Sequence, residues 1–337
     1  MAVKDWELQL TREAYGRTLV ELGQENPRIV VLDADLAVST LTKYFRDAFP
    51  DRFFEMGIAE QNMVGVASGL ALAGYIPFLS SYAMFLSGRA YDQIRQDVDY
   101  QCTNVKLAAA HGGISVGQDG PTHQSMEDLA ATTAMVNMTV AVPADFAQTK
   151  KLVRWCAEYD GPVYFRMGRE KVPVITNDQT PFEYGKMIQL LDGTDCTIIA
   201  AGLTLFMAME AHNELAKEGI SVRVLNAPFL KPIDEEAILR AARETGCIVT
   251  AEEHNVWGGL GSIVARTVVG SETLVPVEIV GINNTYLSSG PWTELMEVAD
   301  LTTEHVKRAV KAAIRRRDLP HHRAEPSPGG KAAASVR

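Results

Sequence analysis

The chain has 337 residues, with 42 acidic against 32 basic side chains and a formal charge of −10. That balance argues against a protein held on nucleic acid by counterion release or on a membrane by a polybasic surface, since both use basic faces. A composition of 47% hydrophobic and 22% charged residues excludes wholesale disorder, and the length exceeds one ordinary core and suits two domains.

In chain order, a helical stretch over 12–23 leads to a short β-branched run over 28–33, read as a strand. From Gln61 to Gly88 no residue is charged. That is long enough to cross a bilayer, but Gly65, Ser68, Gly69, Gly74 and Pro77 break it. It reads instead as a helix over 60–73 and a buried strand over 76–80. Gly65 and Gly69 share one helical face, which fits either close packing in the core or a subunit interface. A helix over 84–97 and strands over 105–110, 139–143 and 163–166 follow. Helices over 125–134 and 145–159 fill the gaps between them, the first opening on a capping-box pattern from Ser125 to Asp128. Strand and helix in alternation predict an α/β fold, a mainly parallel sheet covered by helices.

After a loop over 168–184 the pattern resumes. Strands are expected over 195–201, 220–225, 247–251 and 275–280, with helices over 203–217, 234–244, 260–269 and 303–316. From Asp318 onward proline, glycine and histidine replace the apolar pattern, and a flexible tail is expected. The domain reading is therefore 1–175, 185–316 and a tail over 317–337. Cys102, Cys156, Cys196 and Cys247 lie far apart without a C-x-x-C pair, so they read as free or buried thiols of a reducing compartment. Charges near Met1 occupy the place where a signal peptide is apolar, so a soluble, cytoplasmic chain is expected.

Two features carry chemistry. The loop from His111 to Gln124 holds two of the seven histidines, Asp119 and four glycines, and follows a parallel strand, where open α/β sheets place their ligands. A metal site is not expected there, because no third ligand is spaced to complete it. Glu60 opens the uncharged helix at the mouth of an apolar region, where a carboxylate must be paired or hydrogen-bonded. Tyr82 and Phe85, three apart, offer either core packing or a flat wall for a heteroaromatic ring.

The run Glu55-Met-Gly-Ile-Ala-Glu60-Gln-Asn-Met, the aromatics Tyr82 and Phe85, and His111…Gly117-Gln-Asp119-Gly-Pro-Thr-His123 together resemble the pyrimidine-binding domain of the transketolase family. Leu230-Lys-Pro-Ile-Asp234 and Ala251-Glu-Glu-His-Asn-Val-Trp-Gly-Gly-Leu-Gly261 resemble that group's C-terminal domain. The Gly-Asp-Gly motif of the family's diphosphate-binding domain is missing. The resemblance is therefore to the beta-type subunit of a split transketolase, a heterotetramer of self-associating beta chains with an N-terminal, alpha-type partner subunit. It implies thiamine diphosphate as cofactor, with Mg²⁺ ligands on the partner and none on this chain. The implied reaction moves a two-carbon ketol unit from a ketose phosphate to an aldose phosphate.

By the same resemblance Glu60 matches the acid that hydrogen-bonds the pyrimidine N1′ and favours the imino tautomer. Tyr82 and Phe85 match the aromatics packing on that ring. His123 and His111 are candidate catalytic donors, and Asp119 matches a contact to a sugar hydroxyl. Arg12, Ser39, His111 and Arg169 match the substrate-phosphate cluster, with Arg166 a rival to Arg169. Gly88 stands where transketolases carry a third aromatic. The run Arg89-Ala-Tyr-Asp-Gln-Ile94 is closer to 1-deoxyxylulose-5-phosphate synthase and the 2-oxoacid dehydrogenase beta subunits, which are the alternative readings. A non-catalytic scaffold subunit is a third.

Overall fold

Strands rich in valine, isoleucine and alanine on both faces can only be stable when layered between helices, and a computed structural model, which describes residues 6–319, shows two such layered sheets. Its strands are β1 (Leu8–Leu10), β2 (Ile29–Asp33), β3 (Phe53–Glu55), β4 (Ile76–Tyr82), β5 (Lys106–Ala110), β6 (Thr139–Ala141), β7 (Val163–Arg166) and β8 (Lys171–Pro173) in the first half. The second half holds β9 (Ile188–Leu191), β10 (Cys196–Ala200), β11 (Val222–Asn226), β12 (Phe229–Lys231), β13 (Ile248–Asn255) and β14 (Val277–Ile282). A seven-stranded sheet runs in the order β12-β6-β7-β5-β4-β2-β3, parallel except for β12. A five-stranded sheet runs β14-β13-β10-β11-β9, parallel except for β9. The expected α/β class is the observed one.

The period of two in a strand decides where each side chain goes. In β2, Val30 and Leu32 enter one core with Met63, Val64 and Leu79, while Ile29 and Val31 enter another with Tyr15, Leu19 and Phe78. Two features cross between the halves. The short β12, after β11, leaves the second unit and pairs antiparallel with β6 of the first sheet. The first core cluster also continues through Ile199, Leu225 and Leu260 of the second unit.

Several local expectations change. The helix predicted over 84–97 is broken into Ala83–Arg89, Tyr91–Gln93 and a π-helical stretch, Ile94–Asp99. Ser68 donates to the Asp97 carbonyl at 2.8 Å, and Asp99 receives the Val136 and Asn137 amides, so tertiary partners compete with the helical ladder. The capping box at Ser125 does not form. The helix is Asp128–Thr133, and Asp128 is buried, accepting from Tyr164 Oη at 2.7 Å and pairing with Arg166 at 3.3 Å. By contrast Asp145 and Asp234 do cap their helices, accepting from the Gln148 and Ala237 amides.

Gly65 and Gly69 lie on the exposed face of the helix Glu60–Leu72. A Cβ at Gly69 would meet nothing within 4 Å, so packing within this chain does not account for them. All four cysteines are free: Cys102 is exposed and the other three are buried. The expected tail lies, beyond its first residues, outside the described ones, and the last helix runs to Asp318. Among the described residues no helix is long and apolar enough to cross a membrane.

Candidate active site

Most candidate residues lie just after the carboxyl ends of β2, β3, β4 and β5, while Arg12 follows β1 and Arg169 follows β7. Glu60 is the first residue of its helix and only 2% exposed. It accepts from Ser81 Oγ of β4 at 3.1 Å and from Arg89 Nη1, at 3.0 and 3.2 Å to its two oxygens. An open cleft of 560 Å³ lies above it, lined by Ile58, Ala59, Gln61, Asn62 and Arg89.

Beside Glu60, the end of β4 and the following helix set Tyr82 and Phe85 in a stacked pair, with ring centroids 5.7 Å apart and planes 16° apart. The imidazole of His111 stacks on Tyr82 at 3.9 Å, and His123 meets both rings edge-on at 6.0 and 5.0 Å. Four predicted site residues therefore form one continuous aromatic wall running away from Glu60.

At the far end of the wall stands a cationic group. Arg12, at the start of the helix Thr11–Glu25, donates to the Ser39 carbonyl at 2.5 Å. Burial lowers the Arg12 pKa, and the nearby Arg169 pushes the same way. Arg169 pairs with Asp119 at 3.3 Å and also donates to the Val116 carbonyl. The rival Arg166 points elsewhere. It is 4% exposed, held by Asp128 and by the Glu253 carbonyl beneath the loop, and does not join the cluster.

His111 is strained and buried. Its φ of 57° is left-handed, rare for a side-chain-bearing residue, and its buried Nδ1 has no hydrogen-bond partner among the described residues. Gly112 and Gly113 hold this turn: a Cβ on either would lie within 2.2 Å of Arg166 or Glu253. Burial first, then the charges of Arg12 and Arg169, push the His111 pKa down to about 3. The ring is therefore neutral at working pH, a donor through one nitrogen only. An NMR titration of the imidazole should show no transition between about pH 5 and pH 8, where a free histidine titrates near 6.5. A midpoint near 6.5 would refute this.

Two residues of the region were not foreseen. Arg89 follows Phe85 by one helical turn, an i,i+4 relation that is visible in the sequence. Glu253 has no such signal: it comes from β13 and accepts the Ser115 amide at 2.5 Å, across 138 positions. Burial raises its carboxyl to about 7. No cluster of three or more His, Cys, Asp or Glu able to hold a metal ion stands among the described residues.

A buried carboxylate, an aromatic wall and the Arg12–Arg169 pair are thus set along one edge of the parallel sheet. Residues 9–174 match the family model of the transketolase pyrimidine binding domain, and residues 185–306 that of the transketolase C-terminal domain. The chain belongs to the transketolase family, whose members are transferases dependent on thiamine diphosphate. It is 43% identical over 272 residues to one of the subunits of an apulose-4-phosphate transketolase from Phocaeicola vulgatus, covering 80% of this chain and 86% of that one. It is 40% identical over 308 residues to a 6-deoxy-6-sulfo-D-fructose transketolase subunit of a Clostridium species, covering 91% and 95%. Among solved structures it is similar to one described as a split gene transketolase, inactive beta4 tetramer. The TM-score is 0.84 at 49% identity, covering 91% of this chain and 99% of that one.

Proposed function

We propose that the chain is the beta-type subunit of a split, cytoplasmic transketolase that moves a two-carbon ketol unit from a ketose phosphate to an aldose phosphate. It acts only with an alpha-type partner carrying the diphosphate and Mg²⁺ end of the cofactor. The observation that carries this reading is the buried Glu60 carboxylate at the head of the aromatic wall, facing an open cleft. An acceptor of that kind beside flat rings suits an aminopyrimidine, and the orphaned His111 Nδ1 further along leaves hydrogen-bonding capacity for a ligand.

When bound, thiamine diphosphate supplies the centre at which a carbon–carbon bond is broken and remade. The chain's own residues do the rest. Glu60 accepts a hydrogen bond from a ring nitrogen, and its charge favours the protonated form of that nitrogen. Tyr82 and Phe85 fix the plane of the ring. His123 and neutral His111 offer N–H donors to sugar oxygens, and Asp119, steadied by Arg169, accepts from a hydroxyl. Arg12 and Arg169, beside Ser39, grip the anionic end of the sugar. The names of two relatives support this end of the site: one substrate carries a phosphate and the other a sulfo group, both of which suit guanidinium donors. The exposed, uncharged face of the helix Glu60–Leu72, with Gly65, Gly69 and Leu72, adjoins Glu60 and is the surface through which beta chains self-associate.

The test is a transfer assay. The chain is mixed with its alpha-type partner, thiamine diphosphate and Mg²⁺, and given xylulose 5-phosphate and ribose 5-phosphate. Sedoheptulose 7-phosphate that forms only with both chains is the expected result. No product from this pair, with turnover of pyruvate instead, would favour the 2-oxoacid reading.

A further inference from the structure

Glu60 and Phe85 are the acceptor and the flat wall assigned above to the cofactor ring, and in this chain both are already taken by Arg89. The Arg89 guanidinium lies 4.1 Å from the centroid of the Phe85 ring, while its Nη1 reaches both Glu60 oxygens at 3.0 and 3.2 Å. A guanidinium is a planar, cationic N–H donor that stacks on aromatic faces and forks onto carboxylates. An aminopyrimidine protonated at a ring nitrogen presents the same features: a flat face, an N–H aimed at a carboxylate, and partial positive charge. The two cannot occupy one carboxylate and one ring face together.

The local sequence lets the arginine in. Arg89 lies one turn beyond Phe85 on the helix Ala83–Arg89, which sets the two side chains on one face. The arginine is also free to leave. Its side chain is 48% exposed, against 2% for Glu60, and among the described residues Glu60 is its only ion-pair partner. An empty slot would leave Glu60 buried without a cation, which is costly. With Arg89 in place that cost is met in the absence of a ligand.

We propose that Arg89 is a place-holder for the cofactor ring: it fills the pyrimidine slot of the cofactor-free chain and swings into solvent when the ring binds. The inference rests on the assignment of Glu60 to the cofactor made above. On this account uptake is an exchange of one planar donor for another at the floor of the open cleft.

The test measures binding of thiamine diphosphate, in the presence of Mg²⁺, to the full-length chain mixed with its partner subunit, by isothermal titration. Wild type, Arg89→Met and Arg89→Lys are compared. Removing a competing charged hydrogen bond should tighten binding roughly tenfold in Arg89→Met. Arg89→Lys keeps the charge but loses the planar group that stacks on Phe85, so it should tighten as well, and a shift there cannot come from altered net charge. Unchanged or weaker binding in Arg89→Met would overturn the proposal, the weaker case making Arg89 a contact to the bound ring. Tightening in Arg89→Met with Arg89→Lys at the wild-type value would overturn the planar exchange in favour of simple charge competition. Absence of binding by wild type is a separate result that removes the functional reading itself.

Discussion

Glu60→Ala should lower transfer by the mixed chains by about 10²–10⁴-fold, the usual range for losing a positioned acid–base group, while the complex still assembles. The carboxylate is buried in a slot rather than in the packed core, and its partners are one serine hydroxyl and one half-exposed arginine. When the carboxylate is removed, Ser81 keeps access to the cleft and Arg89 moves into water, so little structural cost is expected. The glycines of the same helix face outward and are untouched by the change. Steady-state kcat, read beside sedimentation of the mixed chains, separates the two effects. A rate close to wild type would remove Glu60 from the mechanism; loss of assembly would make it a structural residue.

Arg166→Leu is the substitution with the largest expected effect on stability, a loss of about 3–5 kcal/mol, as when one partner of a buried ion pair is removed. Asp128, Glu253 and Arg166 are all nearly inaccessible, and Arg166 is the cation between them, with Gly112 and Gly113 packed onto it. Without it the buried Asp128 and Glu253 carboxyls lose the cation they share. The sign of the pH effect follows from Glu253. Its folded-state pKa is already raised to about 7 by burial, and Arg166 is what opposes the rise. A carboxyl raised in the folded state contributes stability below its unfolded pKa, near 4.5, and loses that contribution as pH rises through the folded value. The deficit of the variant, from urea midpoints, should therefore be largest near pH 8 and shrink toward pH 5. A deficit under about 1 kcal/mol at pH 8 would show that the pair has the weight of a surface contact only.

Much of the site was legible because its parts are local. Glu60 opens an uncharged helix, Tyr82 and Phe85 are three apart, and His111, Asp119 and His123 share one glycine-rich loop. Each of these is a statement about neighbours in the chain, and the structure brings all six onto one wall or beside it. The choice between Arg166 and Arg169 was not legible. Arg166 ends β7 and Arg169 comes three residues later, and only burial against Asp128 and Glu253 shows which one faces inward. Arg89 was half legible: its turn-length spacing from Phe85 is visible, but its reach across 29 positions to Glu60 is not.

The sequence by itself determined the alternation of strand and helix, the parallel sheets, and the loop that carries the histidines. These follow from side-chain periodicity and from hydrogen bonds a few residues long. Tertiary structure alone decided that β12 joins the first sheet, that Asp128 abandons a capping box for Tyr164 and Arg166, and that Glu253 holds the Ser115 amide. In each case a buried polar group found a better partner far along the chain. The free energy of satisfying it in a dry interior outweighs any local preference.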